Sequence, residues 1–243
     1  MTRFSTPADV AAPIVVESEK GLTLVGSGAV GIGDLSEALY LAPDLVAADG
    51  GAAVALSEGH TPLAVIGDMD SLHPRVKARL PEDVLRPVEE QDSTDFDKVL
   101  ARVRAPFALG VGFLGGRVDH QMAGLNALAR LRHMPCLLLG QEDVIFAAPP
   151  ELAIRLAPGT RVSLFPFAEV EGTDAGLHWP IAGLRMSPAG LHGTSNRMAE
   201  GAEMLRLKMS APGLLVILPR HALRPALTSL RAAPLWPVPA PAR

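Results

Sequence analysis

Carboxylates collect beside glycines at four places in this sequence, and a lysine and an arginine stand among them. The run Gly67-Asp68-Met69-Asp70-Ser71 offers two acids at i and i+2. That spacing suits a hard cation such as Mg²⁺, which takes oxygen ligands, while glycine lets backbone approach a phosphate. An acidic turn whose Asp and Ser serve local backbone groups fits the same residues. In Gln91-Asp92-Ser93-Thr94-Asp95-Phe96-Asp97-Lys98, Thr94 and Asp97 have the spacing of a helix capping box. Capping accounts for one or two of these acids, since acids in a first turn favour the helix dipole. Asp95 and Lys98, at i and i+3, share a helix face. They read either as a metal-binding acid beside a phosphate-binding lysine or as a solvated ion pair. Gly115-Gly116-Arg117-Val118-Asp119-His120 reads as two glycines opening onto a helix N-terminus, an anion cradle with a bidentate donor in Arg117. His120 fits a cap or a packing residue as well as a catalyst. Asp49-Gly50-Gly51 is the fourth place.

These residues fall just after strand ends, the edge where open α/β sheets bind ligands. Asp49, Asp68, Asp70, Asp92, Asp95 and Asp119 are therefore expected near one edge, with Lys98 and Arg117 as counter-charges. So many carboxylates repel one another unless cations fill the space, so metal plus polyphosphate is the economical reading. A competing motif, Gly26-Ser27-Gly28-Ala29-Val30-Gly31, matches G-x-G-x-x-G, with Asp44 or Asp49 near the ribose-binding distance. It supports an NAD-dependent oxidoreductase but leaves the other clusters unexplained. No Walker A motif is present. The histidines at 60, 73, 133, 178, 192 and 221 lack metal-ligand spacing, so zinc is not expected.

The elements that must position these residues follow from apolar periodicity. Strands are expected at Leu22–Val25, Leu45–Ala48, Leu63–Ile66, Leu85–Val88, Phe107–Val111 and Cys136–Leu139. Helices are expected at 35–41 (capped by Asp34), 54–58, from Thr94, and at 118–132. That alternation predicts an α/β fold with a Rossmann-like parallel sheet over residues 1–147 as the ATP- and metal-binding catalytic domain. Past about residue 148 the apolar segments become short and alternating between glycines and prolines. They predict a small antiparallel β-sandwich over 150–220. Residues 221–243 are expected to be a Pro-rich tail.

With 48% hydrophobic and 20% charged residues the chain is globular, and a net charge of −4 argues against a nucleic-acid partner. Aromatics at 4% leave little for a base-stacking platform. The single cysteine, Cys136, lies in an apolar run and is expected in the core. Neither a signal-peptide pattern nor an apolar stretch of the ~18 residues needed for a membrane span appears, so a cytoplasmic protein without membrane contacts is expected.

In this order, the clusters from Ala48-Asp49-Gly50-Gly51-Ala52 to Gly115-Gly116-Arg117-Val118-Asp119-His120 resemble the thiamine pyrophosphokinase family. The resemblance continues in Gly176-Leu177-His178-Trp179-Pro180-Ile181 and Gly193-Thr194-Ser195-Asn196. Met69 stands where that family usually has an aromatic and Val99 where Ala is common. The resemblance implies transfer of a pyrophosphoryl group from ATP to the hydroxyl of thiamine, with Mg²⁺ as cofactor, in a homodimer that binds thiamine between subunits. It implies Asp68, Asp70 and Asp95 as metal ligands, and Asp70, Asp95, Asp119, Lys98 and Arg117 as catalytic residues. Around ATP it puts Asp49, Gly50, Gln91, Asp92, Thr94, Gly116 and His120. Ser195, Asn196 and Trp179 are implied at thiamine, although Trp179 equally fits a core position. The general base is left open among Asp70, Asp95 and Asp119. A non-catalytic thiamine or nucleotide sensor is the other alternative.

Overall fold

The structure is a computed structural model that describes residues 12–90 and 92–237, so Gln91 lies outside the described residues. By contacts the chain divides into two compact units between Ala127 and Leu128.

The first unit contains, in order, β1 (Val16–Glu17), β2 (Leu22–Val25), α1 (Asp34–Leu41), β3 (Asp44–Ala48), α2 (Gly51–Ser57), β4 (Ala64–Gly67), α3 (Pro74–Lys77), β5 (Leu85–Pro87), α4 (Asp95–Leu100), β6 (Val103–Arg104) and β7 (Ala108–Val111). The helix α5 (Val118–Arg130) begins in it. Strands β7-β2-β3-β4-β5 lie side by side in parallel register. β2, β4 and β7 are buried at every residue, as β3 is after Asp44, which is why they read as unbroken apolar runs. The sheet's chain reversals are tied from inside: buried Thr23 donates its hydroxyl to the Ala42 carbonyl at 2.6 Å. Gly51 lets the start of α2 meet the end of β2, since a Cβ there would lie 2.0 Å from the Val25 oxygen.

One expectation needs adjustment here. Asp34 does not cap α1: Gly33, at φ 82, is the N-cap, and Asp34 is the first helical residue, accepting from Gly31 N at 2.8 Å. The capping box at Thr94 and Asp97 is present, with Thr94 as N-cap of α4.

The second unit contains β8 (Cys136–Leu139), β9 (Asp143–Ala147), β10 (Glu151–Arg155), β11 (Ser163–Pro166), β12 (Val170–Ala175), β13 (Arg185–Met186), β14 (Met204–Met209), β15 (Leu214–Pro219) and α6 (Leu223–Ala232). Its strands form two antiparallel arrays, β11-β15-β9-β8 and β10-β14-β12-β13. β10 and β14 bury alternate residues, the period-2 signature of strands with one wet face. The division falls ahead of the expected boundary near 147 because β8 turns back through β9, which pairs with β15 from the far end of the chain.

Residues 221–243 are not a tail throughout. Leu223, Ala226, Leu227 and Leu230 are buried at helical spacing along α6, and Pro225 sits in its first turn, where the missing N–H costs nothing. Beyond the helix, Trp236 donates its indole N–H to the Ala148 carbonyl at 2.8 Å. Among the described residues no helix is long and apolar enough to cross a membrane.

Cys136 is buried in β8, and burial pushes its thiol up to about 12. Almost no thiolate then exists in the native state at about pH 8. Iodoacetamide is expected to leave the native chain unmodified and to alkylate it after unfolding in guanidinium chloride. Native-state labelling at the rate of a free thiol, read by mass, would show that this strand is open to solvent.

Candidate active site

Three carboxylates meet at the carboxyl ends of the parallel strands. Asp49 follows β3, Asp68 follows β4, and Asp95 opens α4. One oxygen from each lies within 4.8 Å of the others. Asp49 is held at φ 39, a conformation that costs a non-glycine residue energy and is kept where its surroundings dictate it. Its N–H donates to the Ile66 carbonyl at 3.1 Å, which locks it beside β4. Gly67 makes room for it: a Cβ at 67 would lie 2.7 Å from Asp49 Cβ. The glycine of the Gly67-Asp68 pair thus serves its neighbour Asp49, a job the sequence reading gave to phosphate approach.

Asp49 is fully buried. Its Oδ2 accepts from Ser71 N at 3.3 Å, and its Oδ1 is buried without a partner. Burial pushes the Asp49 carboxyl up to about 6; the Ser71 N–H pulls it down, and the charges of Asp95, Asp68 and Asp70 push it further up. Asp95 is raised by burial as well, against the pull of Lys98 and His120. Asp68 goes the other way, to about 2, mainly through its hydrogen bond to Lys98. Lys98 Nζ lies 2.5 Å from Asp68 Oδ2, and this lysine is 2% exposed. Its buried ammonium is therefore committed to the carboxylate group, where the sequence reading expected a phosphate ligand or a solvated pair.

Two like charges at this separation repel by roughly 3–4 kcal/mol at an effective dielectric of ~20, and one lysine does not balance three acids. An unpartnered buried carboxylate oxygen beside two more carboxylates is a donor set that fits a hard divalent cation. Asp68 and Asp95 are in this group as expected. Asp49 takes the third place, and Asp70 does not: it points to the surface side of the turn, where its Oδ1 accepts from Ser71 Oγ at 2.9 Å. Met69 between them is at φ 67, and across this turn Asp70 N donates to Asp68 Oδ1 at 3.3 Å.

Beside the acids lies a cleft of about 410 Å³, whose wall includes Ser71, Thr94, Asp95, Gly116, Arg117 and His120. Ser27, Gly28, Gly112 and Phe113 complete it, residues the sequence reading did not assign to this site. Phe113 packs against Phe96 with ring centroids 4.5 Å apart and the planes tilted by 49°. Their only sequence signal was a glycine-rich stretch after each of two strands. The Gly26–Gly31 motif is used against the protein itself. Gly28 N donates to the Gly112 carbonyl at 2.8 Å, and a Cβ at Gly26 or Gly28 would lie 2.5 or 2.6 Å from that oxygen. The loop then runs on to Gly33 before α1 begins, so the helix N-terminus is not in the glycine turn as the dinucleotide fingerprint requires.

The remaining expected residues fall in three places. Arg117 and Asp119 form an exposed ion pair at the cleft mouth, Nη2 to Oδ2 at 2.5 Å. Gly50 is the N-cap of α2, near Ser27 and Ser71, while Asp92 is exposed in the loop before α4. Ser195, Asn196 and Trp179 belong to the second unit. Asn196 is buried there, and its side chain is spent on backbone: Oδ1 accepts from Trp179 N at 3.2 Å and Arg197 N at 2.8 Å, and Nδ2 donates to Trp179 O at 2.8 Å. Trp179 is 52% exposed, which excludes the core alternative, and the Arg197 guanidinium sits 4.9 Å from its ring centroid. Ser195, at φ 61, is exposed.

Asp49 without a cation is a strained group, and the sign of its pH dependence follows. A carboxyl raised to about 6 in the folded chain, from an ordinary value of 3.8, binds its proton more tightly when folded. It therefore opposes folding fully above pH ~6, and this cost disappears as pH falls towards ~4. Asp49→Asn is expected to raise the melting temperature in EDTA at neutral pH, to lose that advantage near pH ~4, and to abolish Mn²⁺ binding by calorimetry. A destabilised variant with intact Mn²⁺ binding would remove Asp49 from the cation site.

The family pattern described as the catalytic domain of thiamin pyrophosphokinase matches residues 36–138. Thiamine pyrophosphokinase 1 of Oryza sativa subsp. japonica is 32% identical over 160 residues, 58% of this chain and 61% of the relative. Thiamine pyrophosphokinase 1 of Arabidopsis thaliana is 30% identical over 167 residues, 61% of this chain and 62% of the relative. The chain thus spans less than two thirds of the length of these two relatives. Among solved structures, thiamin pyrophosphokinase from Candida albicans superposes with a TM-score of 0.69 at 16% identity, over 90% of this chain and 97% of that one. The Bacillus subtilis thiamine pyrophosphokinase gives 0.65 at 21% identity, over 82% and 98%. These two likenesses concern the fold: a mixed α/β chain with a large sheet and a separate antiparallel one. The matched stretch 36–138 carries the strand ends that bear Asp49, Asp68 and Asp95 together with the Arg117 turn, and over that stretch the chain is similar to thiamine pyrophosphokinases.

Proposed function

We propose that this chain transfers the pyrophosphoryl group of ATP to the primary hydroxyl of thiamine and releases AMP. The observation that carries the reading is the group of Asp49, Asp68 and Asp95 at the head of a cleft whose wall includes Asp95 itself. A cleft of about 410 Å³ is within the range of small-molecule sites. Mg²⁺ held by these three acids would neutralise charge on the transferring phosphates.

The chain's own residues then have distinct tasks. Lys98 holds Asp68 in place and keeps it ionised, so that it faces the cation site as a carboxylate. Arg117 supplies a cation at the cleft mouth, and the glycines at 115 and 116 keep the wall free of side chains there. The thiamine oxygen forms a bond to the β-phosphorus, the bond from that phosphorus to the α–β bridging oxygen breaks, and AMP leaves with the bridging oxygen. We assign the hydroxyl proton to Asp70, which stands beside the cation site without belonging to it. In the second unit Trp179 offers an exposed aromatic face to a thiamine ring, Ser195 a hydroxyl, and Asn196 braces the Trp179 backbone. Its two antiparallel arrays read as the expected β-sandwich, and the homodimer and the cytoplasmic location stay part of this reading.

AMP release from ATP and Mg²⁺, with and without thiamine and with the product identified by mass, tests the reaction. Thiamine-dependent AMP with thiamine diphosphate is the expected result, and ADP in its place would mean the wrong phosphorus is attacked. Loss of a positioned proton acceptor lowers turnover by about 10²–10⁴-fold in general. Asp70→Asn is accordingly expected to lower kcat by more than about tenfold while Mn²⁺ affinity stays near normal. Loss of Mn²⁺ binding in that variant would return Asp70 to the cation site.

A further inference from the structure

The Arg117–Asp119 pair stands apart from the three-carboxylate group. Arg117 follows Gly115 and Gly116, both at positive φ (79 and 77), and a Cβ on Gly116 would meet nothing within 4 Å. Val118 opens α5, so Asp119 lies in its first turn. Asp119 Oδ1 accepts from Arg117 Nε at 3.1 Å and Oδ2 from Nη2 at 2.5 Å. A guanidinium has two edges that donate in parallel, Nε with one terminal nitrogen and the two terminal nitrogens together. Asp119 takes the first edge. Arg117 lines the cleft and Asp119 does not. The two side chains are 71% and 63% exposed, and an ion pair that open to water adds little to stability. What it does is fix the direction of a long, rotamer-rich cation.

We propose that Asp119 is a positioning residue: it holds the Nε edge of Arg117 so that the opposite edge faces a phosphate in the cleft, and it takes no proton from the acceptor. This narrows the set of possible bases and rests on the polyphosphate reading of the cleft. Lysine could not replace Arg117 here, because an ammonium has no second edge to be held by.

The test is a double-mutant cycle on the full chain, with Mg²⁺·ATP binding read by calorimetry for the wild type, Asp119→Asn, Arg117→Ala and the double variant. Asp119→Asn is expected to weaken binding roughly tenfold by releasing the arginine's rotamers, and Arg117→Ala to weaken it further. The double variant is expected to bind no more weakly than Arg117→Ala alone. In turnover, Asp119→Asn raises KM for ATP more than it lowers kcat and leaves both limbs of the pH–rate profile in place. Additive losses in the double variant would overturn the proposal. So would a large fall in kcat at unchanged ATP affinity with one pH limb gone, which is the signature of a base. A wild-type chain that binds no Mg²⁺·ATP also overturns it. Binding that follows the cycle in a chain that releases no AMP sinks the pyrophosphokinase reading and leaves Asp119's role intact. Thermal melts of all four proteins, expected to coincide because both side chains are exposed, exclude a folding defect as the cause.

Discussion

Electrostatic repulsion among Asp49, Asp68 and Asp95 is the constraint around which the first unit is organised. Bringing their oxygens within 4.8 Å opposes folding, and the surroundings meet that cost locally. Lys98 is buried against Asp68, Ser71 N–H is turned onto Asp49, and Gly67 gives up a side chain so that Asp49 fits. One valence is left open, the buried Oδ1 of Asp49. A protein that only needed stability would bury apolar groups at these strand ends instead. Retaining an uncompensated acid there makes sense as preorganisation for a cation that completes the charge balance when it binds.

The parallel sheet makes this economical. β2, β3, β4 and β7 are buried along their lengths, so their carboxyl ends are fixed points on a rigid frame. A residue one step beyond such an end has little freedom except through its own φ and ψ. Asp49 takes positive φ at that step, as Gly112 does beyond β7, and Met69 does so two residues beyond β4. The strain is concentrated where direction matters: Asp49 is turned inward onto the site. The exposed cation Arg117 is handled differently, by a partner in the first turn of α5 that holds one edge of it.

The second unit uses polar groups in another way. Asn196 is buried with its whole side chain spent on the backbone of Trp179 and Arg197, which presents the indole outward, flanked by Arg197 and, edge-on at 4.5 Å between centroids, by His178. An amide whose oxygen and nitrogen are both tied to backbone positions the neighbour it holds.

Whereas the short β1, β6 and α3 were not anticipated, period and composition were enough to anticipate β2, β3, β4 and β7 of the first unit, because these strands are buried and read as apolar runs bounded by glycine and aspartate. The capping box at Thr94 was legible for the same local reason: its partners are three residues apart. The short strand β9 and the helix α6 were not, since β9 is defined by pairing with β15 far along the chain and α6 by the apolar stripe it buries. The acids could be gathered to one edge from sequence, but that Asp49, Asp68 and Asp95 bring their oxygens within 4.8 Å of one another needed coordinates. The place of Asp49 goes with its own backbone dihedral and the missing Cβ at Gly67, a residue 18 positions away, and neither is legible in the spacing of the acids.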